Sequence, residues 1–241
     1  MSDQPQIANE EEPEGSAPAI LGGGDRIELV ATVVLAIATI LTAWSAFQAG
    51  KWGGTQAINF SEAGVARTES TRADTRAGQL IQIDAAMYLD WVSAYIEEVR
   101  AELIPADSSS YEPSAGTVSG FLYNRFRDEF RPAIDAWLAT DPVNNPDAPE
   151  TPFVMDEYVV AESVLALELS AEADEKGQDA RDANQNGDNY VLTMVLFASV
   201  LFFAGVSAKL VAKRNRLIAL GFGIFLLLAG IFILISLPIL I

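Results

Sequence analysis

The chain has 241 residues, with 33 acidic and 15 basic side chains and a formal net charge of −18. Half of it is hydrophobic, its mean hydropathy is +0.22, and it contains neither His nor Cys. Those absences exclude a Ser-His-Asp triad, a thiol nucleophile, a structural zinc site of the usual ligands, His-ligated haem and any disulfide. High hydropathy beside so much charge requires the two to be segregated along the chain, as in membrane spans joined to an acidic aqueous part.

Residues 1–26 are rich in Glu, Pro, Gly and Ser and read as a disordered acidic cytoplasmic tail. Three stretches, 29–50, 190–208 and 217–241, contain no Asp, Glu, Lys or Arg. Each approaches the roughly 20 residues an α-helix needs to cross a bilayer, and they predict transmembrane helices over 27–50, 190–208 and 217–241. The first resembles a signal peptide in position only. Its leader carries Glu10, Glu11, Glu12, Glu14 and Asp25 against Arg26, the wrong sign for such a segment, so it is read as an uncleaved anchor.

The loop 209–216 carries Lys209, Lys213, Arg214 and Arg216 and no anion, which places it in the cytoplasm. Residues 51–189 are then extracytoplasmic in a cell membrane. They hold about 26 acids against about 10 bases, a balance that argues against nucleic acid as a partner.

A three-four spacing runs outward from the first span. Within the bilayer it takes in Thr32, Ala36, Ala43 and Ala46, small residues suited to helix packing. It continues through Gly50, Gly53, Ala57, Phe60, Gly64, Arg67, Thr71 and Asp74 to Tyr88, Val92, Tyr95 and Val99. A coiled-coil seam is the expectation, with Gly53-Gly54 as a possible hinge. The outer region divides into a first arm (51–104), a cap (105–153) and a return arm (154–189). In the cap, 105–120 is turn-rich, 121–139 reads as an amphipathic helix with Leu122, Phe126, Phe130, Ile134, Trp137 and Leu138 on one side, and 141–152 is a Pro-rich loop. Pro132 either kinks that helix or starts a new one. On the return arm Val160, Val164, Leu167 and Ala171 share a face, and the same phase reaches Asp174. Equal rise along the two arms sets Arg67 level with Asp174 and Arg72 level with Glu168, two interhelical pairs that would fix register. The expected fold is mostly α: three transmembrane helices with an extracytoplasmic antiparallel helical stalk and a small helical cap.

The run Arg125-Phe-Arg-Asp-Glu-Phe-Arg-Pro-Ala-Ile-Asp-Ala-Trp137, followed by Asn145-Pro-Asp-Ala-Pro149 and Pro152-Phe153, resembles the central signature of uncharacterised bacterial three-span integral membrane proteins. Ala43-Trp-Ser-Ala-Phe-Gln48 with Lys51-Trp52, and Tyr190-Val-Leu with Leu201-Phe-Phe-Ala-Gly205, resemble the membrane-proximal blocks of the same proteins. The resemblance implies three spans and a helical outer domain. No activity is established for such proteins, so it transfers no catalytic or binding residue.

Few residues suggest chemistry. Asp182-Ala-Asn184-Gln-Asn186-Gly187 matches the first half of a calcium loop, but the twelfth position is Thr193 where a bidentate Glu is needed. Arg125, Arg127 and Arg131 form the densest cationic group; Asp128, Glu129 and Asp135 stand beside them as internal partners. The carboxylates lack a recognisable catalytic setting, Lys51, Lys209 and Lys213 read as interface anchors, and the spans carry no ionisable group to mark an ion path. The composite expectation is a non-enzymatic membrane protein without cofactor or metal, in the lipid bilayer as a homo-oligomer or with another membrane protein. An extracytoplasmic sensor signalling through a separate partner and a subunit of an oligomeric cation channel are the alternatives.

Overall fold

A computed structural model describes residues 23–241, with side chains from Arg26 onward; the expected disorder of 1–26 falls almost wholly outside the described residues. The described chain is mostly helical and contains no strand. The principal helices are α1 (Gly23–Arg100), α2 (Val118–Tyr123), α3 (Arg131–Leu138), α4 (Ala161–Lys209) and α5 (Lys213–Ser236). Single 3₁₀ turns lie at Ser108–Ser110 and Pro152–Val154. Three helices, α1, α4 and α5, are long and apolar enough to cross a membrane.

Proline placement explains the helix lengths. None occurs between residues 23 and 104, within α4, or within α5 before Ser236. Helix α1 runs unbroken through Gly53-Gly54. It ends in a Schellman motif, with Leu103 N–H donating to the Glu98 carbonyl (2.9 Å) and Glu102 N–H to the Val99 carbonyl (3.1 Å). Glu102 sits in the left-handed position that this motif gives to glycine, at φ 55°.

The chain forms two compact units. One comprises the residues up to Gly53 together with Gln185–Ile241. Its core is Val34, Ala38, Phe197, Val200, Ala204 and Leu227. Gly230 lets α5 close on α4, since a Cβ there would sit 2.6 Å from Cε1 of Phe197. Ser45 and Gln48 are buried and paired: the hydroxyls of Ser45 and Thr193 are 3.0 Å apart. Gln48 donates from Nε2 to the Leu240 carbonyl (3.0 Å) and accepts from Leu240 N–H (3.1 Å). Trp52 and Tyr190 both donate to the Pro238 carbonyl, at 3.2 and 3.0 Å. The extended segment after α5, expected as the end of the third span, is thus tied by its backbone. At the other end of this unit Arg216, in the first turn of α5 rather than in a loop, lies 3.9 Å from Glu28.

The second unit is Gly54–Asn184. Ala63, Ala66, Ala73 and Ala77 of α1 are buried, as are Ala166, Ala173, Ala180 and Ala183 of α4. Ser70 donates to the Ala166 carbonyl at 2.8 Å, and Glu62 pairs with Lys176 at 2.7 Å. Residues 105–153 carry the shorter helices α2 and α3.

Several expectations are corrected. The buried rows stand one residue away from the expected seam: Thr32, Ala36, Ala43 and Ala46 are exposed in the chain, while Ala31, Val34, Ala38, Ser45 and Gln48 are buried. Small residues occupy both rows, so periodicity sets the repeat but not the phase. Likewise Ala166 and Ala173, not Leu167 and Ala171, face inward on α4, and Leu167 is 73% exposed. The helix expected over 121–139 is two helices, because turns over 124–130 separate α2 from α3 and Pro132 takes the first turn of α3. Within the return arm the helix starts at Ala161, and residues 182–187 are helical within α4, which removes the calcium-loop geometry.

Candidate functional site

The most elaborate side-chain chemistry lies where the last turns of α1 meet residues 105–160. Tyr88, Trp91 and Tyr95 fall on one face of α1 and pack against Phe126, Phe130, Ile134, Trp137 and Leu138. Trp91 stacks on Tyr95 with ring centroids 5.2 Å apart, and Phe130 stacks on Phe153 at 5.1 Å. Such offset and edge contacts add about 0.5–1.5 kcal/mol each beyond burial. Trp137 donates its indole N–H to the Pro149 carbonyl at 2.7 Å, so the Pro-rich loop is fastened to the aromatic core.

Three carboxylates hold this structure. Asp84, 1% exposed, accepts from Nε and Nη2 along one edge of the Arg127 guanidinium at 3.0 and 3.1 Å and from the Tyr158 hydroxyl at 3.0 Å. Arg127 also donates to Glu129 at 2.9 Å. Burial, and then the Asp84 charge, push the Tyr158 hydroxyl far above its ordinary range, keeping it a neutral donor. Glu98 accepts the Val118 and Ser119 N–H groups at 2.6 and 3.1 Å, satisfying free donors at the start of α2. Asp141, at φ 49°, accepts from the Ser108 hydroxyl (2.6 Å) and N–H (3.2 Å) and from the Asn144 amide. The Ser108 hydroxyl bond, followed by the other donors, holds the Asp141 carboxyl below the usual range.

Beside the aromatic core is a half-open cavity of about 450 Å³. Tyr88, Val92, Tyr95 and Val99 form one wall, Trp137 and Pro142 another, and Arg100 is the one charged lining residue. Among the described residues no group of three or more acidic side chains is placed to hold a metal.

Of the residues singled out from sequence, Arg67 and Asp174 come within 3.6 Å, with side chains 65% and 81% exposed. Arg72 instead pairs with Glu69, three residues back on its own helix, at 2.5 Å. Arg72 and Glu168 are both exposed, off the buried rows, so the shorter reach along α1 wins. The Arg125–Arg131 group is taken up internally: Arg131 pairs with Asp128, Arg127 pairs as above, and Arg125 lies 3.4 Å over the Phe121 ring. Asp84, Glu98 and Arg100 were not anticipated. The spacing Ala77, Asp84, Trp91, Glu98 is a strict seven-residue repeat, and a carboxylate in an apolar heptad row is a signal for a buried partner.

Comparison with protein-family models, curated proteins and solved structures returned no match.

Proposed function

We propose that the chain is a non-enzymatic multi-pass membrane protein whose outer part is an antiparallel two-helix stalk carrying a small cap, acting as a structural or accessory subunit. The sequence of contacts supports the antiparallel reading. Glu62 meets Lys176, Arg67 meets Asp174, Ser70 meets Ala166 and Arg76 meets Glu162, so numbers rise along α1 as they fall along α4. The observation that carries the functional reading is the use made of buried charge: Asp84 and Glu98 are committed to bonds that hold the cap's shape. That is the chemistry of a fixed structural scaffold rather than of acid–base turnover.

The four cations of the 209–216 loop support a cytoplasmic location for it and an extracytoplasmic one for 51–189. The resemblance to bacterial three-span membrane proteins fits this arrangement. Partners in this reading are lipid and either further copies or another membrane protein. Two measurements test it. A reporter fused after Ala139 is expected outside the cytoplasm, and a cytoplasmic signal refutes the topology. Purification in mild detergent, with mass determination and identification of co-purifying proteins, is expected to give a stable homo-oligomer or a defined membrane complex. A monodisperse monomer with no companion refutes the subunit role.

A sensor is the second reading, favoured by the cavity against α1, because α1 also carries the first apolar span. Such a sensor acts through a separate signalling partner.

A further inference from the structure

We propose that the cavity between the last turns of α1 and residues 137–143 is a binding site for a small amphipathic carboxylate, with an aromatic or branched apolar body and one anionic group. The site is argued from its own walls and holds whether the protein serves as a subunit or a sensor.

Its size comes first. About 450 Å³ falls in the range of about 300–1,000 Å³ typical of small-molecule pockets, too small for a protein segment with tertiary structure. The walls come second. Tyr88, Tyr95 and Trp137 present ring surface, and Val92, Val99 and Pro142 present aliphatic surface. Val143 and Ile96, at the same cavity, are 48% and 39% exposed, an apolar mouth open to water. A flat or branched apolar body covers that surface.

Polarity comes third, and it selects the head group. Arg100 is the last residue of α1 and has no ion pair among the described residues; Arg67, Arg72, Arg76, Arg127 and Arg131 of the same unit are paired with carboxylates, Arg125 lies over the Phe121 ring and Arg181 donates to Gln178. A guanidinium at the edge of an apolar cavity matches a carboxylate through two parallel hydrogen bonds. Tyr95 contributes its ring alone: its hydroxyl is fully buried toward Ser108, with the Asp141 and Asp107 carboxylates on that side, so the anionic group is left to Arg100.

The test uses the full-length protein in lipid nanodiscs with 3-phenylpropionate and indole-3-acetate as probes and uncharged 3-phenylpropanamide for comparison. Titration calorimetry is expected to give saturable one-to-one binding of at least one acid, with Kd between about 10 µM and 1 mM. The amide is expected to bind at least about tenfold more weakly. Arg100→Gln, at an exposed helix end, should weaken the acid about tenfold or more while leaving the amide unchanged. Val143→Trp, which fills the mouth from an exposed position, should abolish binding of both and also corrects for partition into lipid. Absence of saturable binding by either acid overturns the proposal. So does equal affinity for acid and amide, or binding unchanged in Arg100→Gln. Melting curves matching the parent chain identify variants that are folded.

Discussion

Arg127 holds Asp84 by two nearly equal hydrogen bonds, 3.0 and 3.1 Å, across 43 residues of sequence, and Asp84 is all but excluded from water. The pair joins α1 to the turn between α2 and α3, and Tyr158 brings the segment before α4 to the same carboxylate. Removing one member leaves a charge without its partner. Asp84→Ala or Arg127→Ala is expected to destabilise the cap by about 3–5 kcal/mol. The lower end suits Asp84→Ala, because Arg127 keeps Glu129 and is 21% exposed. Replacing both, Asp84→Leu with Arg127→Met, should recover most of the loss. Tryptophan fluorescence during denaturant unfolding reads this directly, since Trp91 and Trp137 lie in the adjoining core.

The Arg67–Asp174 pair behaves differently. Its 3.6 Å separation and its exposure to water predict a coupling below about 1 kcal/mol in a double-mutant cycle. Arg67→Asp alone should change stability little, and adding Asp174→Arg should restore little. A coupling above about 2 kcal/mol would mean that these charges are shielded in an assembly of several chains.

Glu102 occupies a backbone conformation that costs a side-chain-bearing residue energy, while the Schellman bonds around it require that conformation. Glu102→Gly is expected to stabilise the second unit by about 0.5–1 kcal/mol, visible as a higher thermal midpoint. Glu102→Val should lower it.

Asp141 makes stability depend on pH. Its folded carboxyl is depressed below the ordinary value, so its contribution is fully present above about pH 4, the range of an unfolded aspartate. The contribution fades as pH falls through the lower folded value. Asp141→Asn tolerates the positive φ but carries no charge. It should lower the denaturation midpoint near pH 6 and flatten its decline in acid. An identical acid profile in the variant would assign that decline to other carboxylates.

The parts of this fold that sequence reveals are those written in one dimension. Charge-free runs mark the three apolar helices, because a bilayer demands about 20 consecutive uncharged residues whatever the neighbours do. A seven-residue repeat marks the long helices. Phase escaped, since Ala36 and Ala43 are as small as Ala31 and Ala38, and only the opposing helix decides which row is covered. The break between α2 and α3 escaped because Phe126 and Phe130 keep helical spacing through turns, Phe126 packing on Trp91 of α1 and Phe130 on Phe153 and Tyr158 from the segment before α4. The Asp84–Arg127–Tyr158 cluster and the cavity escaped for a plainer reason: their members are brought together only by folding.

The amide of Gln48 meets both backbone groups of Leu240, as a neighbouring strand would, where the chain beyond α5 has left its helix. That has a bearing on biogenesis. Before the third helix docks on the first, the Gln48 amide and the backbone of the late-arriving segment each lack this partner, and an unmet polar group away from water is penalised. Their meeting removes both penalties at once. The final docking of the third helix is therefore the step that this glutamine favours, and a chain halted before residue 240 would leave Gln48 without that partner.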